Sequence, residues 1–220
     1  MPHAATIISD LMIGYSTLIS IINPFGIAFI FYDMTRRLSE AQRQALALRI
    51  SLYSFSVLVV SSVLGSFILN FFGISVAALR IAGGLAVAFA GWGLLNKPDV
   101  DSTELGPSEA MNPAAIEAMA FYPLTMPLTT GPGTVAAAIA LVVKGTFSAD
   151  RIIGILTEVL IVAFAVSATI YVCYRWSGWL SAHLGVATTR ILTRVSAFLL
   201  LCVGVQIIIT GVIEVIQMAR

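Results

Sequence analysis

Six stretches of the chain, at residues 7–31, 50–72, 76–95, 118–143, 152–174 and 191–213, are each long and apolar enough to cross a bilayer. An α-helix rises about 1.5 Å per residue and the hydrocarbon layer is about 30 Å thick, so about 20 mostly apolar residues make one crossing. Six such runs in 220 residues leave little chain for any other architecture. Only 10% of the residues are charged, against about a quarter in a soluble domain, so the chain cannot cover itself with a water-facing surface. The pattern predicts an all-α membrane protein with six transmembrane helices, its largest partner being the lipid bilayer. Met1-Pro2-His3 supplies no basic n-region, and the run that follows outlasts a signal-peptide core, so the first helix is expected to be retained.

The net charge of +1, with no basic run interleaved with aromatics, excludes nucleic acid as a partner. Cys173 and Cys202 fall inside apolar runs, where a thiol acts as a small hydrophobe. His3 and His183 have no metal-ligand neighbours, and no nucleophile elbow, zinc-protease helix or phosphate loop is present. No catalytic residue, metal site or organic cofactor is therefore expected; a coupling proton or sodium ion stays open.

The longest polar stretch, residues 96–117, holds Pro98, Pro107 and Pro113 among Asp99, Asp101, Glu104 and Glu109, and reads as an acidic linker. It divides the chain into two three-helix parts, residues 1–95 and 118–220. Arg36, Arg37, Arg43, Arg49, Lys97, Arg175, Arg190 and Arg194 gather on one side of the predicted spans. Lys144, Arg151 and Arg220 fall on the other, with Arg80 slightly inside span three. Cytoplasmic loops keep Lys and Arg, which places both termini outside. Three spans then separate the starts of the two parts, so the halves cross in opposite senses, as inverted repeats do.

Two motifs recur in matching order. Span one contains Asn23-Pro24-Phe25-Gly26 and span four contains Thr129-Thr130-Gly131-Pro132-Gly133-Thr134, each near mid-span. At the last span of each half, Gly73 precedes Arg80 and then Gly91 in one case, and Gly185 precedes Arg194 and then Gly204 in the other. Proline removes an amide hydrogen and glycine favours helix weakly, so each motif predicts a helix broken near mid-membrane, freeing backbone groups that lipid cannot satisfy. Paired breaks in inverted repeats aim half-helix amino termini at an anionic group. Asn23, Pro24 and Gly26, together with Thr129, Thr130, Gly131, Pro132, Gly133 and Thr134, are the candidate substrate-binding residues. The plainer alternative is that each proline only kinks its helix, and that Thr125, Thr129 and Thr134 bond back to the preceding turn.

Arg80, Arg194 and Glu158 are the candidate charge partners within or near the spans. Either arginine could clamp a carboxylate or simply snorkel from a span end, and Glu158 could carry a proton or pair with Arg151. Span three, with Gly83, Gly84, Ala88 and Gly91, presents small residues at the spacing of a close-packing face.

The segments Asn23 to Gly26 closing with Thr35, Leu79-Arg80-Ile81-Ala82-Gly83-Gly84, and Met126-Pro127-Leu128-Thr129-Thr130-Gly131-Pro132-Gly133-Thr134 resemble the MarC family of bacterial and archaeal membrane proteins. The resemblance covers essentially the whole chain. It implies a neutral amino-acid transporter related to LysE-type exporters, with a small zwitterion such as glycine or alanine as substrate. Relatives often carry a second proline where Ala28 stands here, which implies a milder first break.

The leading expectation is thus a secondary transporter of small neutral amino acids in the cytoplasmic membrane, working by alternating access. The alternatives are a non-transporting scaffold or stress-response factor, a drug or metabolite efflux protein, and a membrane enzyme for lipid-linked substrates. A pocket between Asn23 and Thr130 would favour transport. The enzyme requires Glu158, Arg80 and Arg194 to share one cavity. Oligomeric state is left open.

Overall fold

A computed structural model describes residues 2–96, 113–143 and 149–218, all built from helices and their connections. The helices are α1 (Pro2–Ile22), α2 (Pro24–Met34), α3 (Glu40–Phe71), α4 (Val76–Leu95), α5 (Pro113–Met119), α6 (Pro132–Val143), α7 (Ala149–Arg175) and α8 (Ser177–Met218). Between α5 and α6 runs an irregular segment, Ala120–Thr129, in which extended backbone at Tyr122 (φ −124°, ψ 124°) and Met126 (φ −114°, ψ 127°) interrupts the helical turns. Five stretches are long and apolar enough to cross a membrane: Ile8–Met34, Glu40–Phe71, Val76–Leu95, Ile153–Arg175 and Ala187–Met218. A sixth arises if the pair Ala114–Thr129 and Pro132–Val142, bent by 63°, counts as one span.

Two expectations about extent need correction. The second span begins at Glu40 rather than at residue 50, so Arg43 and Arg49 belong to α3 and not to a loop. Its start is set by a capping box: Ser39 accepts from the Gln42 amide at 3.3 Å, and the Gln42 side chain accepts from the Ser39 amide at 2.9 Å. Likewise the last span begins at Ala187 rather than at residue 191, so Arg190 joins Arg194 within it; the stretch from Ser177 meets it at Gly185, whose backbone (φ 76°, ψ 164°) is not helical. Of the polar linker, residues 97–112, with Lys97 and its acidic residues, lie outside the described residues, as do Lys144 and Arg220. Proline-led α5 already begins within the linker's last part, and its Glu117 pairs with Arg49 at 3.3 Å.

The bundle is organised by pairs: α4 lies along α8, α3 along α7, α2 against α8 and α6 against α4. The α4–α8 contact is the most extensive, and Gly84 and Gly204 meet in it. A Cβ on Gly84 would stand 2.7 Å from the Gly204 carbonyl, so only hydrogen lets the two backbones touch. Across α3 and α7 the Ser51 hydroxyl donates to the Ser167 carbonyl at 2.7 Å. Leu46, Ile50, Leu58, Leu124, Val166 and Ile170 are buried in the centre, while Phe67, Phe71, Phe89 and Phe164 point outward, as suits a bundle whose solvent is hydrocarbon.

Candidate functional site

The interruption at Asn23 is a single residue within the stretch Ile8–Met34. α1 ends at Ile22, and Asn23 takes the left-handed conformation (φ 46°, ψ 58°) that asparagine tolerates better than most residues. Its amide still donates to the Ile19 carbonyl at 2.8 Å, closing the last turn of α1. Its side-chain oxygen accepts from the Gly26 amide at 3.3 Å, so the same residue caps α2, with Pro24 in the first helical position where a missing N–H costs nothing. Pro24 and Gly26 are buried, and Asn23 is half-buried.

The second break is longer and built from a four-residue unit used twice, Tyr122-Pro123-Leu124-Thr125 and Met126-Pro127-Leu128-Thr129, with both X–Pro bonds cis. Each proline removes an amide from the helical ladder, and a threonine hydroxyl two residues later donates five residues back. Thr125 donates to the Ala120 carbonyl and Thr129 to the Leu124 carbonyl, both at 2.6 Å. Thr129 lies 2.7 Å from the Tyr174 hydroxyl; since its single proton goes to Leu124, Tyr174 is the donor in that pair. Tyr174 is fully buried and stacks on Phe31 of α2, ring centroids 4.6 Å apart. The Phe31–Tyr174–Thr129 chain of contacts therefore ties the helix that follows the first break to the second.

Thr130 ends the irregular segment (φ −116°, ψ 64°) and donates its hydroxyl to Ser54 of α3 at 2.7 Å, both residues fully buried. Gly131 then accepts from the amides of Thr134 and Val135 as α6 begins at Pro132. The amino terminus of α6 is seated on α4: a Cβ on Gly83 would lie 2.7 Å from both the Gly133 amide nitrogen and the Pro132 carbonyl carbon. Gly133 faces Ile207 of α8, whose Cδ1 would be 2.6 Å from an added Cβ. Gly131 and Thr134 are also buried. Gly83, Ser54 and Tyr174 are thus part of this region without having been site candidates; only Gly83 stood inside a quoted motif.

A cavity of about 380 Å³ opens beside these breaks, walled by Asp10, Gly14 and Leu18 of α1, Leu58 and Ser62 of α3, Ala138 and Val142 of α6, and Glu158 and Val162 of α7. It contains neither Asn23 nor any of residues 129–134. Its walls nevertheless lead toward them. Leu18, Leu58 and Ala138 lie on the same helices as Asn23, Ser54 and Thr134, one turn or slightly more away, a separation of about 6–8 Å. On the far side of the break level Ile27, Ile30, Phe31, Leu46, Ile50, Leu124, Ile170 and Tyr174 are each at most 1% exposed.

The three charge candidates occupy three places. Arg80 binds Glu214 at 2.7 Å, joining the start of α4 to the end of α8. Arg194 donates to the Leu95 carbonyl at 3.4 Å, at the other end of α4 and about 22 Å along its axis from Arg80. Glu158 stands in the cavity wall on α7, and neither arginine lines that cavity. One further cation matters structurally: Arg43 donates to the carbonyls of Thr35 at 3.3 Å and Leu38 at 3.2 Å and lies over the Tyr32 ring. It caps the end of α2 with a positive charge, where the helix dipole favours one.

The family described as MarC family integral membrane protein matches residues 8–216. An inner membrane protein MarC from Escherichia coli O1:K1 / APEC is 33% identical over 211 residues, 93% of this chain and 95% of that protein. Its counterpart from Salmonella typhimurium is 34% identical over the same shares. No solved structure matches the chain. Nearly the whole length is accounted for by one family, and the chain belongs to the MarC family of integral membrane proteins.

Proposed function

We propose that this chain is a secondary transporter of small neutral amino acids, of glycine or alanine size, working by alternating access in the inner membrane, the location that the names of its relatives carry. The observation that carries the reading is one-sidedness. A cavity enters the bundle between α1, α3, α6 and α7 and stops about one turn short of the Ser54–Thr130 pair, while the opposite half is filled by fully buried side chains. With both termini outside, as the arginine distribution predicts, the cavity faces outward. Ser54, Thr130, Thr134 and Asn23 offer neutral polar groups beside the amino termini of α2 and α6, a setting suited to a zwitterion whose carboxylate meets helix dipoles.

Two inverted three-helix repeats fit the packing. If α4 corresponds to α8, α3 to α7, and the broken α1–α2 pair to the Ala120–Thr129 segment with α6, then α2 against α8 mirrors α6 against α4. In the same way α1 against α7 mirrors the Ala120–Thr129 segment against α3. Gly73 and Gly185, at matching points of the two halves, both take left-handed φ, of 66° and 76°. Arg80 and Arg194 each reach the far end of the partner helix. In this arrangement the Asn23 and Thr130 breaks form the related pair at mid-membrane.

The reading is tested with purified protein in liposomes and radiolabelled glycine or alanine. Accumulation above empty liposomes is expected, and Gly133→Leu, which must displace Ile207, should abolish it while the protein stays monodisperse. Uptake no greater than in empty liposomes for every neutral amino acid would overturn the proposal. The cavity lining favours a second reading: its mostly apolar wall with Asp10 and Glu158 suits efflux of an amphipathic cation. Energy-dependent export of such a cation, with no amino-acid exchange, would select it.

A further inference from the structure

The floor of the cavity has a regular construction on four helices. On α3, Ser62, Leu58 and Ser54 follow one another at four-residue spacing on one face; the first two line the cavity and the third does not. On α6 the same spacing gives Val142 and Ala138 in the wall and Thr134 one turn deeper. On α1, Leu18 is in the wall and Ile22 is deeper; on α7, Val162 is in the wall and Val166 is deeper. Leu18, Leu58, Ala138 and Val162 therefore form one layer, with exposures of 3%, 1%, 1% and 9%. The next layer contains Ser54, Thr134, Ile22 and Val166, and Thr130 is bonded to Ser54 within it.

The two layers differ in chemistry. The upper one is wholly apolar and, Ala138 and Val162 aside, consists of two leucines that can yield only by changing rotamer. The lower one holds a buried pair of uncharged hydroxyls, each able both to donate and to accept. Such a pair can part around a ligand carrying opposite charges and return its hydrogen bonds to the ligand, which a purely apolar layer cannot do.

We infer that Ser54 is a further substrate-binding residue and that Leu18 and Leu58 form a size filter directly above it, admitting only small neutral zwitterions from the cavity. This rests on the transport reading for its substrate, but not for its geometry. Narrowing by apolar side chains discriminates at about 10–200-fold per methylene, enough to separate alanine from larger neutral amino acids.

The test uses the full chain with Cys173→Ala and Cys202→Ala, reconstituted in liposomes, and the membrane-impermeant thiol reagent 2-(trimethylammonio)ethyl methanethiosulfonate. Ser62→Cys should be labelled and Ser54→Cys protected; adding Leu58→Ala to Ser54→Cys should expose it. In uptake assays Leu58→Ala should reduce the preference for alanine over valine by about tenfold. Ser54→Ala, still monodisperse, should raise the KM for alanine. Labelling of Ser54→Cys as fast as Ser62→Cys, or its continued protection beside Leu58→Ala, would overturn the filter. An unchanged alanine-to-valine preference in a transporting protein would overturn it as well. If the unaltered protein moves no amino acid, the transport reading fails, and the labelling pattern still decides the filter.

Discussion

Replacing Gly83 with alanine tests how the second break is held. The added Cβ would sit 2.7 Å from the Gly133 amide nitrogen and 2.7 Å from the Pro132 carbonyl carbon, both backbone atoms. Ordinary carbon contacts begin near 3.4 Å, so α4 and the start of α6 must part by about 0.7 Å. No rotamer change can absorb this, because the obstructing atoms belong to the main chain. Overpacking of this kind costs about 1–3 kcal/mol, and it falls where α6 is aimed at the break. Gly93, on the same helix with nothing within 4 Å of an added Cβ, is the control; there alanine should be neutral or slightly stabilising through helix propensity. Thermal unfolding in detergent, followed by size-exclusion chromatography of a fluorescent fusion, should show Gly83→Ala melting several degrees below Gly93→Ala. Uptake by Gly83→Ala in liposomes should fall with it. Equal melting temperatures for the two variants would refute the claim that α4 seats the break.

Thr130→Val leaves the buried Ser54 hydroxyl without its partner and should cost about 1–3 kcal/mol. Combining it with Ser54→Ala should cost less than the two separately, by at least about 0.5 kcal/mol; strict additivity would show that the two are not coupled. Arg80→Met should destabilise by about 1 kcal/mol, since the Arg80–Glu214 pair is partly exposed, with side chains 16% and 28% accessible. The reversed pair, Arg80→Glu with Glu214→Arg, should recover most of the loss in melting temperature. Alkaline phosphatase fused after Arg220 should be active and a fluorescent protein fused there dark in the bacterial host, as an outside carboxyl terminus requires; the opposite pattern would invert the orientation of the cavity.

Hydropathy located the spans because hydrocarbon thickness is a length that the chain must match, but it could not locate their ends. α3 begins at Glu40 because of the Ser39–Gln42 capping box, two polar residues ahead of any apolar run. Pro24 and Pro132 marked the places where one helix stops and the next begins, after Ile22 and after Thr129, since proline disturbs a helix wherever it stands. What the breaks bond to was hidden, because Ser54 and Tyr174 are 76 and 45 residues from Thr130 and Thr129. Nothing local marks Ser54 among the several serines of α3. The small-residue run in span three predicted close packing without its partners: Gly83 and Gly84 are neighbours about 100° apart around the helix, so one meets α6 and the other α8. The cavity is walled by residues of four helices far apart in the chain, a meeting that no single segment encodes.

The contact of Gly84 with Gly204 also says where this molecule does not bend. α4 comes from the first half of the chain and α8 from the second, yet they meet backbone to backbone, with Arg80–Glu214 fastening one end and Arg194 on the Leu95 carbonyl the other. A swing of one half against the other would crush or open that seam, and close-packed seams do not deform gradually. The pair behaves as a single keel. In a transporter built on it, the parts that travel must lie outside this seam and outside the equally close seat of α6 on α4 at Gly83.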